Sequence, residues 1–314
     1  MSPRRSAFFD VGTNTILCVI AEIRDTGRFR VLDDLAEITK LGEGVDKTRR
    51  ISPEGEQRSL AVLKRYRGQC DYLGVAEIVA VGTSALRDAE NRAEVCARFR
   101  DELGFDIRII SGAEEAAYSF LAVQRGLHLS PEQIQDIDIG GGSTEFIRGT
   151  PSGMSSAASI DLGSVRLTER FLPSDPVRPD QVATMNAAID QELARLPENG
   201  INLGPTPALV GIAGTFTTLV AMERNLARYS HGDLHGSTLT FDALRRQIKR
   251  LERQSVAERR RIAGLEPQRA DVIFAGACLL ERIMNRCHAD RIIVSDQGVR
   301  YGLLHEAAGP QQNC

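Results

Sequence analysis

A short motif that occurs twice is the feature that most constrains the fold of this chain. Residues 10–15 read Asp-Val-Gly-Thr-Asn-Thr, and residues 138–143 read Asp-Ile-Gly-Gly-Gly-Ser. An apolar segment precedes each copy and another follows it, which predicts two β-hairpins whose tips carry an aspartate, glycine and a hydroxyl. Strand and helix patterns alternate in both halves, as is typical of α/β units. The repeat therefore predicts two like α/β lobes whose hairpin tips face one another across a cleft.

The residue types at the two tips are typical of a phosphate site. Glycine lets backbone N–H groups converge on an anion, and Thr or Ser adds hydroxyl donors. An aspartate beside them would repel phosphate unless a divalent cation lay between, and Mg²⁺ takes carboxylate, water and phosphate oxygens together. The alternative for each hairpin alone is a tight turn in which Asp serves turn propensity. Since the triple glycine exceeds what a turn needs, the pair predicts Mg²⁺-assisted phosphate chemistry.

A third glycine cluster and a helix start complete the set of candidate motifs. Residues 211–215 follow an apolar strand and predict a strand–turn–helix unit, which is either a further phosphate or nucleotide cradle or a plain β–α turn. Ser111 and Glu114 fit a capping box, in which the glutamate binds the backbone of the cap. Glu115 is then left without a structural role, and it is a candidate base. The alternative is a carboxylate favoured by the helix dipole, worth about 0.3–1 kcal/mol.

Composition argues against several classes of protein. The formal net charge of -3 gives no support for nucleic-acid binding, which usually shows a basic excess. The six cysteines form no CxxC pair, so we expect no zinc site and mostly core thiols in a reducing compartment. The apolar run behind Arg5 ends at Asp10, too early for a signal peptide, and no later stretch could span a membrane. We expect a cytoplasmic protein without nucleic-acid or membrane partners.

Several segments together resemble the exopolyphosphatase / guanosine pentaphosphate phosphatase family. The matching stretches occur in family order over nearly the whole chain: residues 10–15, 83–91, 110–116, 138–145, 162–171, 214–218, 269–273 and 294–300. The resemblance implies the actin-like ATPase fold, an α/β fold of two ribonuclease H-like lobes around a cleft. The expected boundaries are 1–124 and 125–314, with a last helix that packs back on the first lobe.

The resemblance also implies a role for each candidate residue. Glu115 would orient and deprotonate the attacking water, and Asp138 would hold Mg²⁺ with help from Asp10 and Glu145. The residues expected to grip phosphates are Gly12, Thr13 and Asn14 in one lobe and Gly140, Gly141, Gly142 and Ser143 in the other. The residues expected to neutralise substrate charge are Arg87, Arg166 and Arg269, for which surface ion pairs are the alternative.

Two positions depart from the family pattern. Leu17 stands where many members carry Arg or His, so one phosphate contact is expected to be missing. Phe216 lies in the third glycine cluster, where relatives usually show Gly-Gly-Thr-Ala-Thr-Thr, and we expect it to alter any nucleoside pocket. The favoured function is removal of terminal phosphate from inorganic polyphosphate. The alternatives are hydrolysis of guanosine pentaphosphate to tetraphosphate, a phosphotransferase and a nucleotide sensor, and a homodimer is left open.

Overall fold

The computed structural model describes residues 3–127, 129, 133–206, 208–226 and 234–309. The chain folds into two compact units. Unit 1 contains the described residues up to Arg125 and those from Val299 onward, and unit 2 runs from Gly126 to Gly298. Each unit contains one mixed β-sheet, and both predicted hairpins are present.

Unit 1 is built on a five-stranded sheet in the order β3-β2-β1-β4-β5. Its strands are β1 (Arg4–Val11), β2 (Thr15–Ile23), β3 (Phe29–Ile38), β4 (Glu77–Gly82) and β5 (Arg108–Ile109). The first three strands are antiparallel, whereas β4 runs parallel to β1 and β5 parallel to β4. Its helices are α1 (Val45–Thr48), α2 (Pro53–Tyr72), α3 (Ser84–Asp88), α4 (Arg92–Leu103) and α5 (Gly112–Gly126).

Side-chain alternation along β1 explains why this sheet is covered on both faces. Phe8 and Phe9 are both fully buried but belong to two different apolar clusters, because successive side chains of a strand point to opposite faces. Helix α2 begins as its sequence predicts, with the Ser52 hydroxyl accepting from the Gly55 amide and Pro53 in the first turn.

Unit 2 is built on a six-stranded sheet in the order β10-β11-β9-β6-β7-β8. Its strands are β6 (Ile134–Ile139), β7 (Thr144–Thr150), β8 (Gly153–Ile160), β9 (Ala208–Ile212), β10 (Ser237–Thr240) and β11 (Arg291–Ser295). Its α-helices are α6 (Ser164–Phe171), α7 (Pro179–Arg195), α8 (Gly214–Glu223), α9 (Phe241–Glu252), α10 (Val256–Arg259) and α11 (Ile273–Arg286). Two 3₁₀ turns lie at Leu196–Asn199 and Pro267–Arg269. One large apolar cluster joins the sheet to these helices.

Helix α12 (Val299–Ala308) groups with unit 1. The guanidinium of Arg300 donates to both carboxylate oxygens of Asp34 on β3, at 2.9 and 3.1 Å, and the Tyr301 hydroxyl donates to the same carboxylate at 2.9 Å. Since Arg300 is almost fully buried, this charge-assisted cluster anchors α12 to the edge strand of its own sheet.

Two negative findings concern the described residues alone. None of their helices is both long and apolar enough to cross a bilayer. Five cysteines are free thiols, of which Cys18, Cys70, Cys278 and Cys287 are buried, as expected for core residues. Cys314 lies outside the described residues.

Candidate functional site

In unit 1, the candidate residues follow strands that end at one edge of the sheet. The register places Val11 beside Gly82 and Gly82 beside Ile109, in parallel pairs. Parallel strands end together, so the first hairpin turn and the starts of α3 and α5 lie next to one another at this edge. The carboxyl ends of strands are also where ligands bind in open α/β sheets.

The first hairpin turn is fixed by backbone hydrogen bonds. The Gly12 amide donates to the Thr15 carbonyl at 3.1 Å, and a Cβ at Gly12 would lie 2.9 Å from that oxygen, so only glycine fits without displacement. The Thr13 carbonyl accepts from Gly42, and the Asn14 carbonyl accepts from the two residues of the next loop, 39 and 40. Both Thr13 and Asn14 are buried.

Two side chains beside this turn bear on ligand binding. The side-chain amide of Asn14 has no hydrogen-bond partner within the described part of the chain. Buried polar groups normally bond to protein or ordered water, so a polar ligand or water is the expected partner of this amide. Asp10 is half-buried and lies opposite Leu17 in the β1–β2 ladder.

The two adjacent glutamates at the start of α5, Glu114 and Glu115, have different hydrogen-bond partners. The Ser111 amide and hydroxyl both donate to Glu114, at 2.9 Å each, which confirms the predicted capping box. These bonds, together with Arg108, lower the pKa of Glu114 to about 2, the backbone bond contributing most. Glu115 is buried instead, and its Oε2 accepts from Arg87 Nη1 at 3.0 Å.

Arg87 is therefore a partner of the candidate base. The same Nη1 donates to the Ile110 carbonyl at 3.1 Å, so the guanidinium is held between the end of β5 and the first turn of α5. Its side chain is one quarter exposed, and its ion-pair partner is the buried Glu115. Neutralisation of substrate charge by Arg87 stays a prediction.

In unit 2, a second set of candidates lies at the corresponding sheet edge. Asp138 pairs with Ile212 and Ile212 with Ser295 in parallel register, so β6, β9 and β11 end together. The triple-glycine turn and the start of α8 follow the first two of these strands. The Thr215 hydroxyl donates to the Ile139 carbonyl at 3.4 Å, which connects the two loops directly.

The carbonyl oxygens of the triple-glycine turn are held by α6. The Gly140 carbonyl accepts from the Ser164 amide and the Gly141 carbonyl from the Val165 amide, both at 2.9 Å. This approach needs glycine at position 163, because a Cβ there would overlap the backbone of Gly141. No backbone oxygen among the described residues accepts from the amides of Gly141 or Gly142. The turn thus directs its carbonyls towards α6 and leaves two consecutive amides for an anion.

Arg166 completes this arrangement from the first turn of α6. Its Nε donates to the Gly142 carbonyl at 2.7 Å, and the residue is buried. A buried guanidinium bonded to a carbonyl is not a surface ion pair, so that alternative is wrong for Arg166. Ser143, at the end of the turn, is also buried, and its carbonyl accepts from the Gly140 amide at 3.0 Å.

Two carboxylates face each other across the second hairpin. Asp138 on β6 pairs with Glu145 on β7, which puts both side chains on one face of the sheet. Both are buried, and the Ser159 hydroxyl donates to Glu145 at 2.7 Å. A third carboxylate, Asp136, lies two residues before Asp138 on the same face, and burial together with the charge of Asp138 raises its pKa well above the ordinary value.

The chemistry of this donor set fits Mg²⁺. Carboxylate oxygens are its preferred protein ligands, and it usually keeps several waters and binds through one or two carboxylates plus phosphate oxygens. No cluster of three or more His, Cys, Asp or Glu able to cage a metal occurs in the described ranges. A pair of carboxylates beside free glycine amides is therefore suited to a partly hydrated, phosphate-bound ion.

Arg269, the last of the predicted arginines, lies against the third glycine cluster (residues 211–215). The guanidinium of Arg269 packs on Gly214, where any Cβ would overlap it. Ala213 has φ 79° and ψ 177°, a conformation that normally requires glycine and costs a non-glycine residue about 1–3 kcal/mol. Strain at this turn is maintained by the surrounding packing.

Phe216 is a core residue of unit 2. Its ring is fully buried and packs on Gly211, where a Cβ would overlap the ring. The side chain at this helix position belongs to the apolar core of unit 2, and an effect of Phe216 on a nucleoside pocket stays a prediction.

Sequence reasoning missed Asp136 as a member of the acidic face. The alternation Asp136-Ile137-Asp138 signals that the two aspartates share a face, but alternation alone is also typical of a solvated strand face. Tertiary burial was needed to distinguish the two cases.

Comparisons with known proteins find similar proteins over nearly the whole chain. The model of the Ppx/GppA phosphatase family matches residues 19–309. Exopolyphosphatase 2 of Mycobacterium tuberculosis is 32% identical over 321 residues, which cover 98% of this chain and 100% of that protein. The crystal structure of the Aquifex aeolicus Ppx/GppA family member is 32% identical, with a TM-score of 0.79 and 97% of each chain covered. An exopolyphosphatase structure from Cytophaga hutchinsonii is 30% identical, with a TM-score of 0.89 and coverages of 97% and 98%. The predicted α/β fold with two sheets, the actin-like ATPase fold, is confirmed.

Proposed function

The chain belongs to the Ppx/GppA phosphatase family, and from this premise we propose that it is an exopolyphosphatase that releases terminal phosphate from inorganic polyphosphate. The observation that carries the proposal is the triple-glycine turn of unit 2. Its carbonyls are bonded to α6 while two amides remain, and the Asp138–Glu145 pair lies on the adjoining hairpin. Amides so arranged can donate directly to phosphate oxygens, whereas the carboxylates would bind the phosphate through a divalent cation.

Six of the candidate residues would have a direct role in this reaction. The amides of Gly141 and Gly142 would bind phosphoryl oxygens, and Asp138 and Glu145 would hold Mg²⁺. When bound, Mg²⁺ supplies charge stabilisation for the transferred phosphoryl group. Glu115 would accept a proton from the attacking water, while Arg87 holds that carboxylate in place. Positioning and electrostatics supply most of the rate enhancement in phosphoryl transfer.

Phosphate release from polyphosphates of defined length, with and without Mg²⁺, tests the proposal. We expect release of single phosphates from the ends of the polyphosphate, and we expect this release to depend on the metal. Release of long internal fragments instead of single phosphates would contradict an exopolyphosphatase. Absence of release with any divalent metal would favour a nucleotide sensor.

Guanosine pentaphosphate is the second candidate substrate. The burial of Phe216 supports guanosine pentaphosphate as a candidate, because a side chain in the core would not exclude a nucleoside by direct contact. Side-by-side measurement of phosphate release from the two substrates decides between them. Formation of ATP from ADP and polyphosphate would instead identify a phosphotransferase.

A further inference from the structure

Asp136 is a fully buried carboxylate that the reaction described above does not use. Neither of its oxygens has a hydrogen-bond partner within the described residues. Buried carboxylates are normally paired, hydrogen-bonded or coordinated to a metal, because an isolated one is costly to remove from water. Protonation would remove the charge but would leave the oxygens without hydrogen bonds, so water is the expected partner of this carboxyl group.

The sheet register places Asp136 behind the Asp138–Glu145 pair. Asp136 lies opposite Ile147 on β7 and beside Val210 on β9, while the next residues on the same face are Asp138 and Glu145. These two apolar neighbours offer no side-chain hydrogen bond, whereas the carboxylate pair lies further along the strands on the same face.

The spacing favours contact through water. Two residues of a strand span about 6.6 Å, whereas a Mg²⁺–oxygen bond is only about 2.1 Å long. A metal-bound water that donates a hydrogen bond of about 2.8 Å extends the reach from the ion to about 4–5 Å. Direct ligation of one ion by both aspartates is also at odds with the lack of a three-group metal cluster among the described residues.

We infer that Asp136 is a positioning residue of the cation site: it accepts a hydrogen bond from a water bound to the Mg²⁺ that Asp138 and Glu145 hold. The inference rests on the proposed function, since it needs that cation. Residues outside the direct ligand set orient such ligands, and their loss typically costs about 10–100-fold in metal affinity.

Metal affinity measured without turnover tests the inference. Mn²⁺ serves as the paramagnetic probe, with free Mn²⁺ followed by electron paramagnetic resonance, and Mg²⁺ is added as competitor. The parent protein, Asp136→Asn and Asp138→Asn are compared with Gln135→Leu. Gln135 is the matched control, because it is a fully buried polar neighbour on the same strand whose side chain points to the opposite face.

We expect Asp136→Asn to weaken Mn²⁺ and Mg²⁺ binding by about 10–100-fold and Gln135→Leu to leave both unchanged. Should Asp136→Asn fail to fold, Asp136→Val provides the same test, since valine suits a strand between Ile147 and Val210.

Parental affinity in a folded Asp136 variant, with binding lost in Asp138→Asn, would overturn the inference and leave the proposed function intact. A parent protein that binds neither ion would overturn both. Equal weakening by Gln135→Leu would also overturn the inference, because the effect would then come from disturbance of β6 in general.

Discussion

Replacement of Arg166 by methionine separates a structural role from simple neutralisation of substrate charge. Methionine keeps an unbranched apolar stem but removes the Nε–H that donates to the Gly142 carbonyl at 2.7 Å. Because Arg166 is buried, water does not replace the lost donor fully. A hydrogen bond to a charged group contributes about 1.5–3 kcal/mol, and leaving the carbonyl unsatisfied costs a similar amount.

The expected result is a lower melting temperature without any substrate present. In a domain of 150–250 residues, 1 kcal/mol corresponds to about 2–4 °C, so Arg166→Met should lower Tm by about 3–12 °C. The assay is thermal unfolding followed by circular dichroism. Arg178→Met is the matched control, since Arg178 is exposed and its ion pair with the exposed Asp180 is worth about 0–1 kcal/mol. If the two variants melt together, Arg166 does not hold the glycine turn.

Three further predictions address other parts of the molecule. Glu115→Gln should reduce phosphate release by about 10²–10⁴-fold, as expected for loss of a general base, whereas Glu114→Gln should not; equal losses would remove Glu115 from the mechanism. Ala213→Gly should raise the free energy of unfolding, because relief of about 1–3 kcal/mol of strain exceeds the added chain entropy of about 0.4–1 kcal/mol; a lower denaturant midpoint would contradict the strain at φ 79°. Burial, with Arg125, lowers the pKa of His305 to about 4, so its stabilising contribution is complete above the unfolded pKa of about 6.5 and is lost as pH falls towards 4. Between pH 7 and pH 5 the parent should therefore lose about 2 kcal/mol more than His305→Gln in urea titrations, and parallel pH profiles would refute this.

Local features of the site could be predicted from the sequence with few errors. The two hairpins, the capping box at Ser111 and the helix start at Pro53 all depend on residues within a few positions of one another. The hairpin also brings Asp138 opposite Glu145, because a short turn fixes the register of its two strands. These features depend on backbone conformation and short-range hydrogen bonding, which neighbouring residues largely determine.

Contacts between distant segments could not be predicted in the same way. The sequence pattern does not give the protein partners of these arginines: Arg87 pairs with Glu115, 28 residues away, and Arg166 bonds the carbonyl of Gly142. The same pattern does not show that the ring of Phe216 is buried in the core of unit 2. The direction of a long side chain depends on the packing of elements that only the folded chain brings together.

The sequence by itself determined the family, the alternation of strands and helices, and the residue types able to bind phosphate and a hard cation. Only the tertiary structure decided which of these side chains are buried and what they contact. The physical reason is that burial sets the cost of an unsatisfied polar group, and burial depends on the whole fold. Asp136 illustrates the difference, since the same aspartate would need no partner on a solvated strand.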